Sequence, residues 1–154
     1  MRLAIGSDER THLTDWVVKD LNGRGHLVQV FGPSAWPDVA REVGETVASG
    51  ACDGGVLFCW TGTGVSIAAN KVPGVRAALC TDAETSRGAR RWNDANVLCM
   101  SLRLISETVA GEILDAWFET PVDQSERQTI QRVDDLDRQA GKMPALPAGS
   151  DQGR

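Results

Sequence analysis

Among the residues able to do chemistry, one thiol keeps informative company. Cys59 closes the apolar run Gly55-Val56-Leu57-Phe58, and Trp60-Thr61-Gly62-Thr63-Gly64 follows at once. An Ala-rich segment, Val65-Ser66-Ile67-Ala68-Ala69-Asn70-Lys71, comes next. A buried strand that ends in a glycine turn and continues as helix delivers its last side chain to the carboxyl edge of a sheet. In open α/β folds ligands collect there, facing the N–H groups of helix starts. A thiol in that positive partial charge yields thiolate more readily. The N–H groups of Thr61, Gly62, Thr63 and Gly64 can hold an oxyanion. Base and oxyanion site would share one short segment. The competing readings are a strand-end thiol packed as a small hydrophobe and a turn that only connects strand to helix.

The elements that must position this segment follow from periodicity. Leu3-Ala4-Ile5 reads as a strand ending at Gly6-Ser7-Asp8. Leu13, Trp16, Val17 and Leu21 then recur at helical spacing, closed by Asn22-Gly23. A strand over 27–31 stops at Gly32-Pro33. Pro37 suits the first turn of a helix carrying Val39, Ala40, Val43 and Val47, which Ser49-Gly50 ends. Beyond the glycine turn, Pro73-Gly74 ends the short helix. Strands over 75–80 and 96–100 alternate with helices over 83–91 and 107–118. Five strands alternating with helices predict an α/β fold whose parallel sheet is covered on both faces. A polar helix over 127–139 carries the narrow apolar stripe Ile130, Val133 and Leu136. Such a stripe packs on a partner subunit or on its own domain. One domain is expected over 1–140, with a disordered Pro/Gly-rich tail over 141–154.

A net charge of −5 argues against nucleic acid and anionic membrane as partners. Cys52, Cys59, Cys80 and Cys99 match no zinc spacing and read as reduced thiols of a cytoplasmic protein. The N-terminus is too short and too quickly polar for a signal peptide, and no apolar run approaches transmembrane length.

The segment from Cys59, continued by Val72-Pro73-Gly74-Val75-Arg76-Ala77-Ala78-Leu79-Cys80 and by Asn93-Asp94-Ala95-Asn96-Val97-Leu98, resembles the ribose-5-phosphate isomerase B family. That family includes the galactose-6-phosphate isomerase subunits. The resemblance runs from Ile5-Gly6-Ser7-Asp8 to Arg132. It implies a Rossmann-like three-layer αβα sandwich and an aldose–ketose isomerase of small sugars or sugar phosphates that uses neither cofactor nor metal. Cys59 would be the general base, with Thr61 beside it in the catalytic turn. Asp8 matches the family's substrate-binding aspartate, and Asn70 and Asn93 match pocket asparagines. Arg132 aligns with one of two phosphate-binding arginines that serve the neighbouring subunit's site. The expected assembly is therefore a homodimer or homotetramer with sites at the subunit interface. A helix-ending role for Asn70 and a solvated charge for Arg132 stand beside these assignments.

The pocket departs from the family at four places. Glu9 replaces a phosphate-binding histidine, with Arg10 or His12 able to compensate. Trp60 replaces the glycine after the cysteine. Trp92 replaces the histidine that assists ring opening. Gln128 replaces the first C-terminal arginine, with Arg127 one position away. Indole has no proton to exchange near neutrality, so opening a furanose ring would lack its acid. A tetrose 4-phosphate cannot close that ring and needs no such acid. The tryptophans could stack on a sugar face or shorten the cavity. The sequence thus points away from ribose 5-phosphate as the main substrate and admits a tetrose 4-phosphate. The reading from another class is a non-catalytic sugar-phosphate-binding or interaction protein on the same scaffold.

Overall fold

Leu3, Ile5, Val56, Phe58, Leu98 and Met100 face one side of the sheet, and Ala4, Leu57, Cys59, Val97 and Cys99 face the other. This is the two-residue alternation of a strand buried on both faces. The computed structural model describes residues 1–141, and the expected tail lies outside them from residue 142 on. The strands are β1 (Arg2–Ser7), β2 (Leu27–Phe31), β3 (Gly54–Cys59), β4 (Ala77–Leu79) and β5 (Val97–Ser101). The helices are α1 (His12–Gly23), α2 (Trp36–Ala48), α3 (Thr63–Ala69), α4 (Ala83–Asn93), α5 (Glu107–Glu119) and α6 (Arg127–Ala140). A 3-10 turn, Gln124–Glu126, precedes α6.

All neighbouring strands are parallel, in the order β2-β1-β3-β5-β4. From β1 to β2 and from β4 to β5 the chain steps one way along the sheet. From β2 to β3 and from β3 to β4 it steps the other way. Right-handed crossovers then place α1 and α4 on one face and α2 and α3 on the other. Their buried residues divide in that way, and α5 joins α1 and α4. The connections leaving β1 and β3 part in opposite directions, so the crevice between their carboxyl ends is the place for a ligand.

Two glycines let α2 sit close on this sheet. A Cβ at Gly6 would lie 2.5 Å from Val39 Cγ2 and 2.9 Å from Val43 Cγ2, and one at Gly55 2.8 Å from Val43 Cγ1. Helix starts are fixed by side chains: Thr11 and Thr14 cap α1 reciprocally, Asp82 caps α4 and Ser106 caps α5.

Two expectations change. The strand expected over 75–80 shrinks to Ala77–Leu79, because the Arg76 N–H donates to Asn96 Oδ1 (2.8 Å) and not to a ladder. The apolar stripe of α6 is split. Ile130 is buried beside the inward carboxylates of Asp134 and Asp137, whereas Val133 and Leu136 are exposed. Among the described residues no helix is long and apolar enough to cross a membrane.

Gly6→Ala should lower the free energy of unfolding by about 1–3 kcal/mol through overpacking against α2. Gly23→Ala, where nothing lies within 4 Å of an added Cβ, should change it by less than about 0.5 kcal/mol. Urea midpoints of the two variants make the comparison.

Candidate active site

Ser7 pairs with Phe58 across β1 and β3. One residue further, Asp8 stands level with Cys59 at the crevice. Alternation turns both toward the α2–α3 face, where Cys59 is buried. Asp8 Oδ1 is buried and has no hydrogen-bond partner within the chain. A buried carboxylate oxygen without a partner thus follows β1 where the adjacent strand, β3, ends in a buried thiol.

The turn above them is built for close approach. Gly62 has φ +76°, and a Cβ there would lie 2.6 Å from Leu79 Cδ1 and 3.0 Å from the Met100 carbonyl carbon. Its N–H is committed to Cys59 O at 3.2 Å. Of the N–H groups expected to face a ligand, that of Gly62 therefore turns inward. Those of Thr63 and Gly64 open α3, where the first N–H groups of a helix have no internal partner. The hydroxyls of Thr61 and Thr63 lie 2.7 Å apart across the exposed turn. The loop after β5 pins the backbone beneath: Leu102 N donates to Cys59 O (3.0 Å), Arg103 N to Trp60 O (3.1 Å) and Ser101 Oγ to Trp60 O (2.8 Å). The Trp60 side chain is left exposed.

All four cysteines are free and buried; Cys59 is set apart by its place at the end of β3 beside the glycine turn. Burial acts on the thiols of the others. It pushes the Cys80 thiol up to about 12, with Asp82 adding to the effect, and it pushes Cys99 and Cys52 up as well. These three stay protonated near neutral pH and pack as small hydrophobes.

Other expected residues fall elsewhere. The Asn70 carboxamide is committed to backbone, donating to Ser66 O and Ala77 O (both 2.9 Å) and accepting from Ala77 N (2.8 Å). It ties α3 to β4. Glu9 and Arg10 line a cavity of about 480 Å³ on the α1 side, between β1, β2 and α1. Arg10 is paired with Asp15 (2.8 Å), not with Glu9. Cys59 and the glycine turn do not line that cavity. The thiol lies instead at the topological crevice, where the strand ends and the glycine turn meet.

Trp92, Asn93, Arg127 and Arg132 gather at the opposite edge of the sheet. Gly55 N donates to Asn96 O at 2.9 Å, which sets Asn96 at the start of β3. The length of β3 separates that level from Cys59, about 16 Å at roughly 3.3 Å per residue. Asn93 ends α4 at this edge, and Trp92 is exposed, its ring lying over Gly88. Asp123 N donates to Arg91 O (2.8 Å), bringing the start of α6 alongside. Arg127 hydrogen-bonds Gln124 (3.1 Å), while Arg132 is exposed. The expected residues therefore form two groups at two ends of one chain.

Two residues near Cys59 escaped sequence reasoning. Trp36 begins α2 and lies against Gly64, where a Cβ would be 3.1 Å from its ring. Arg103 is an exposed cation in the loop that pins Trp60. Only the sheet order brings either beside β3, and no local pattern encodes that order.

A family described as Ribose/Galactose Isomerase matches residues 3–136. Ribose-5-phosphate isomerase B of Escherichia coli is 38% identical over 141 residues, covering 86% of this chain and 92% of that one. D-erythrulose-4-phosphate isomerase of Pectobacterium atrosepticum is 34% identical over 126 residues, covering 77% and 83%. The solved structure of Clostridium thermocellum ribose-5-phosphate isomerase B superposes with a TM-score of 0.87 at 35% identity, covering 91% of this chain and 99% of that one. With a parallel five-stranded sheet that carries a thiol and a glycine turn at its switch point, this chain belongs to the ribose/galactose isomerase family of sugar-phosphate aldose–ketose isomerases.

Proposed function

We propose that this chain interconverts the aldose and ketose forms of a small sugar phosphate through an enediolate, with Cys59 as base. The observation that supports the reading is the parallel pairing of β1 and β3, which ends at Ser7 opposite Phe58 and leads into Asp8 and Cys59, followed by a turn whose leading N–H groups have no helical partner. The Cys59 thiolate takes the C2 proton of the open-chain aldose. The C2 electron pair forms the C1=C2 bond, and the carbonyl pair moves to O1, facing the N–H groups of Thr63 and Gly64. The thiol returns the proton to C1 while the O2 proton passes to O1, which leaves a carbonyl at C2. Thr61 and Thr63 hydroxyls are placed to relay that second proton, and Asp8 to hold a substrate hydroxyl.

The second group completes the site from a neighbouring copy. Asn93 and Arg132 stand too far from the Cys59 of their own chain to share a small substrate with it. Val133 and Leu136, exposed apolar side chains on the helix that carries Arg132, supply a surface for that neighbour. Arg103 at the Cys59 end and Arg132 at the other offer cations for a phosphate on either side of the contact.

Cys59→Ala should lower kcat by about 10²–10⁴-fold, the usual contribution of a positioned base. Cys80→Ala should keep turnover near wild type, because its thiol stays protonated. A Cys59→Ala enzyme with near-normal turnover would remove the thiol from the mechanism.

Trp92 leaves the site without a ring-opening imidazole, so substrates that are already acyclic should be favoured. The expected order is a higher kcat/KM for erythrose 4-phosphate than for ribose 5-phosphate, with Trp92→His raising activity on the cyclic substrate selectively. A tenfold preference for ribose 5-phosphate, about 1.4 kcal/mol in transition-state binding, would mean that the indole has been misread.

A further inference from the structure

One arginine outside every expected site holds the second group together. Arg76 immediately precedes β4, its side chain only 19% exposed. Its Nε donates to the carbonyls of Asn93 (3.1 Å) and Asp94 (3.0 Å), and its Nη1 to Asp134 Oδ1 on α6 (3.0 Å). Nη2 lies 3.5 Å from Asp94 Oδ2. One planar, permanently charged group thus fixes the end of α4 against α6, a geometry that its fork of donors allows and an ammonium does not. The end of α4 needs such support. Asp94 terminates the helix at φ +44°, a left-handed conformation uncommon for a residue with a Cβ. Arg90 holds the same carboxylate from within α4 (3.1 Å).

We propose that Arg76 is a positioning residue: through Asp134 it sets the height and rotation of α6, and with them the place from which Arg132, on the opposite side of that helix, presents its cation. Asp134 and Asp137 lie three apart on the inward side of α6, and Asp137 accepts from Gly74 N at 2.7 Å. Arg132, two residues before Asp134, is turned about 200° away around the helix and is exposed. The inward carboxylates therefore decide where the outward cation stands. This inference rests on the proposal that this end of the chain completes a neighbour's site. It adds that anion binding there depends on a network that itself touches no substrate.

The test uses the full chain and Asp134→Asn, which cuts the tether to α6 and leaves Arg76 on the α4 carbonyls. Inorganic phosphate binding is read by titration calorimetry, KM and kcat with erythrose 4-phosphate, and mass by light scattering. The expected result is a fivefold or greater loss of phosphate affinity and a matching rise in KM. Mass should be unchanged, kcat should stay within twofold, and Asp134→Glu should recover most of the loss. Unchanged affinity and KM beside a lowered Tm would make the network merely structural and overturn the inference. So would a wild-type chain that binds no phosphate, or a variant that loses affinity only because its mass falls. A wild-type chain that binds phosphate but isomerises nothing would refute the proposed reaction, and the affinity comparison would still decide the role of Arg76.

Discussion

Five main-chain pairs between β1 and β3, from Leu3 opposite Gly54 to Ser7 opposite Phe58, set the register on which the site depends. Shifted by one residue, Asp8 would face α1 while Cys59 faced α3, because a strand turns alternate side chains to opposite faces. The register is held from both sides. Leu3, Ile5, Val56 and Phe58 are bound into one core, and Ala4, Leu57 and Cys59 into the other. Gly6 and Gly55 admit α2 to the same two strands, and Trp36 at the start of that helix lies against Gly64. The packing that stabilises the middle of the sheet therefore also aligns the thiol with the carboxylate.

The separation of the candidate residues into two ends has a chemical consequence. Within one chain, Trp92 cannot alter the surroundings of Cys59, since the length of a strand lies between them. On the proposed reading, Trp92 reaches a substrate only across a contact between copies. Each half is rigid in its own way: hydrogen bonds from Leu102, Arg103 and Ser101 fix the thiol end, and the Arg76 network fixes the other. The site proposed here would be assembled by docking two preformed surfaces, not by folding one pocket.

Much of the scaffold was legible in the sequence. The strand over 27–31 stands where periodicity placed it, and the glycine turn announced the switch from β3 to α3. Periodicity is local, however, and cannot encode which strands become neighbours. It gave no sign that β5 would insert between β3 and β4, nor that Arg103 would come to lie beside Trp60. Asn70 shows the same limit. Its carboxamide could be read as a pocket group or a helix terminator, and only the nearness of the β4 backbone decided which hydrogen bonds it makes. Glu9 and Arg10 follow Asp8 directly, yet they line the α1 side, because the chain is already turning into the capped start of α1.

The most direct test of a site shared between two copies is subunit mixing. Cys59→Ala and the double variant Asn93→Ala/Arg132→Ala are each assayed alone, then unfolded together in equal amounts and refolded. In a symmetric dimer with shared sites, half of the refolded molecules pair one variant with the other, and each of these has one site free of every substitution. The mixture should then recover about a quarter of wild-type activity. If both variants are inactive alone and the mixture stays inactive although mixed dimers form, the residues act within a single chain and the two-ended site is wrong.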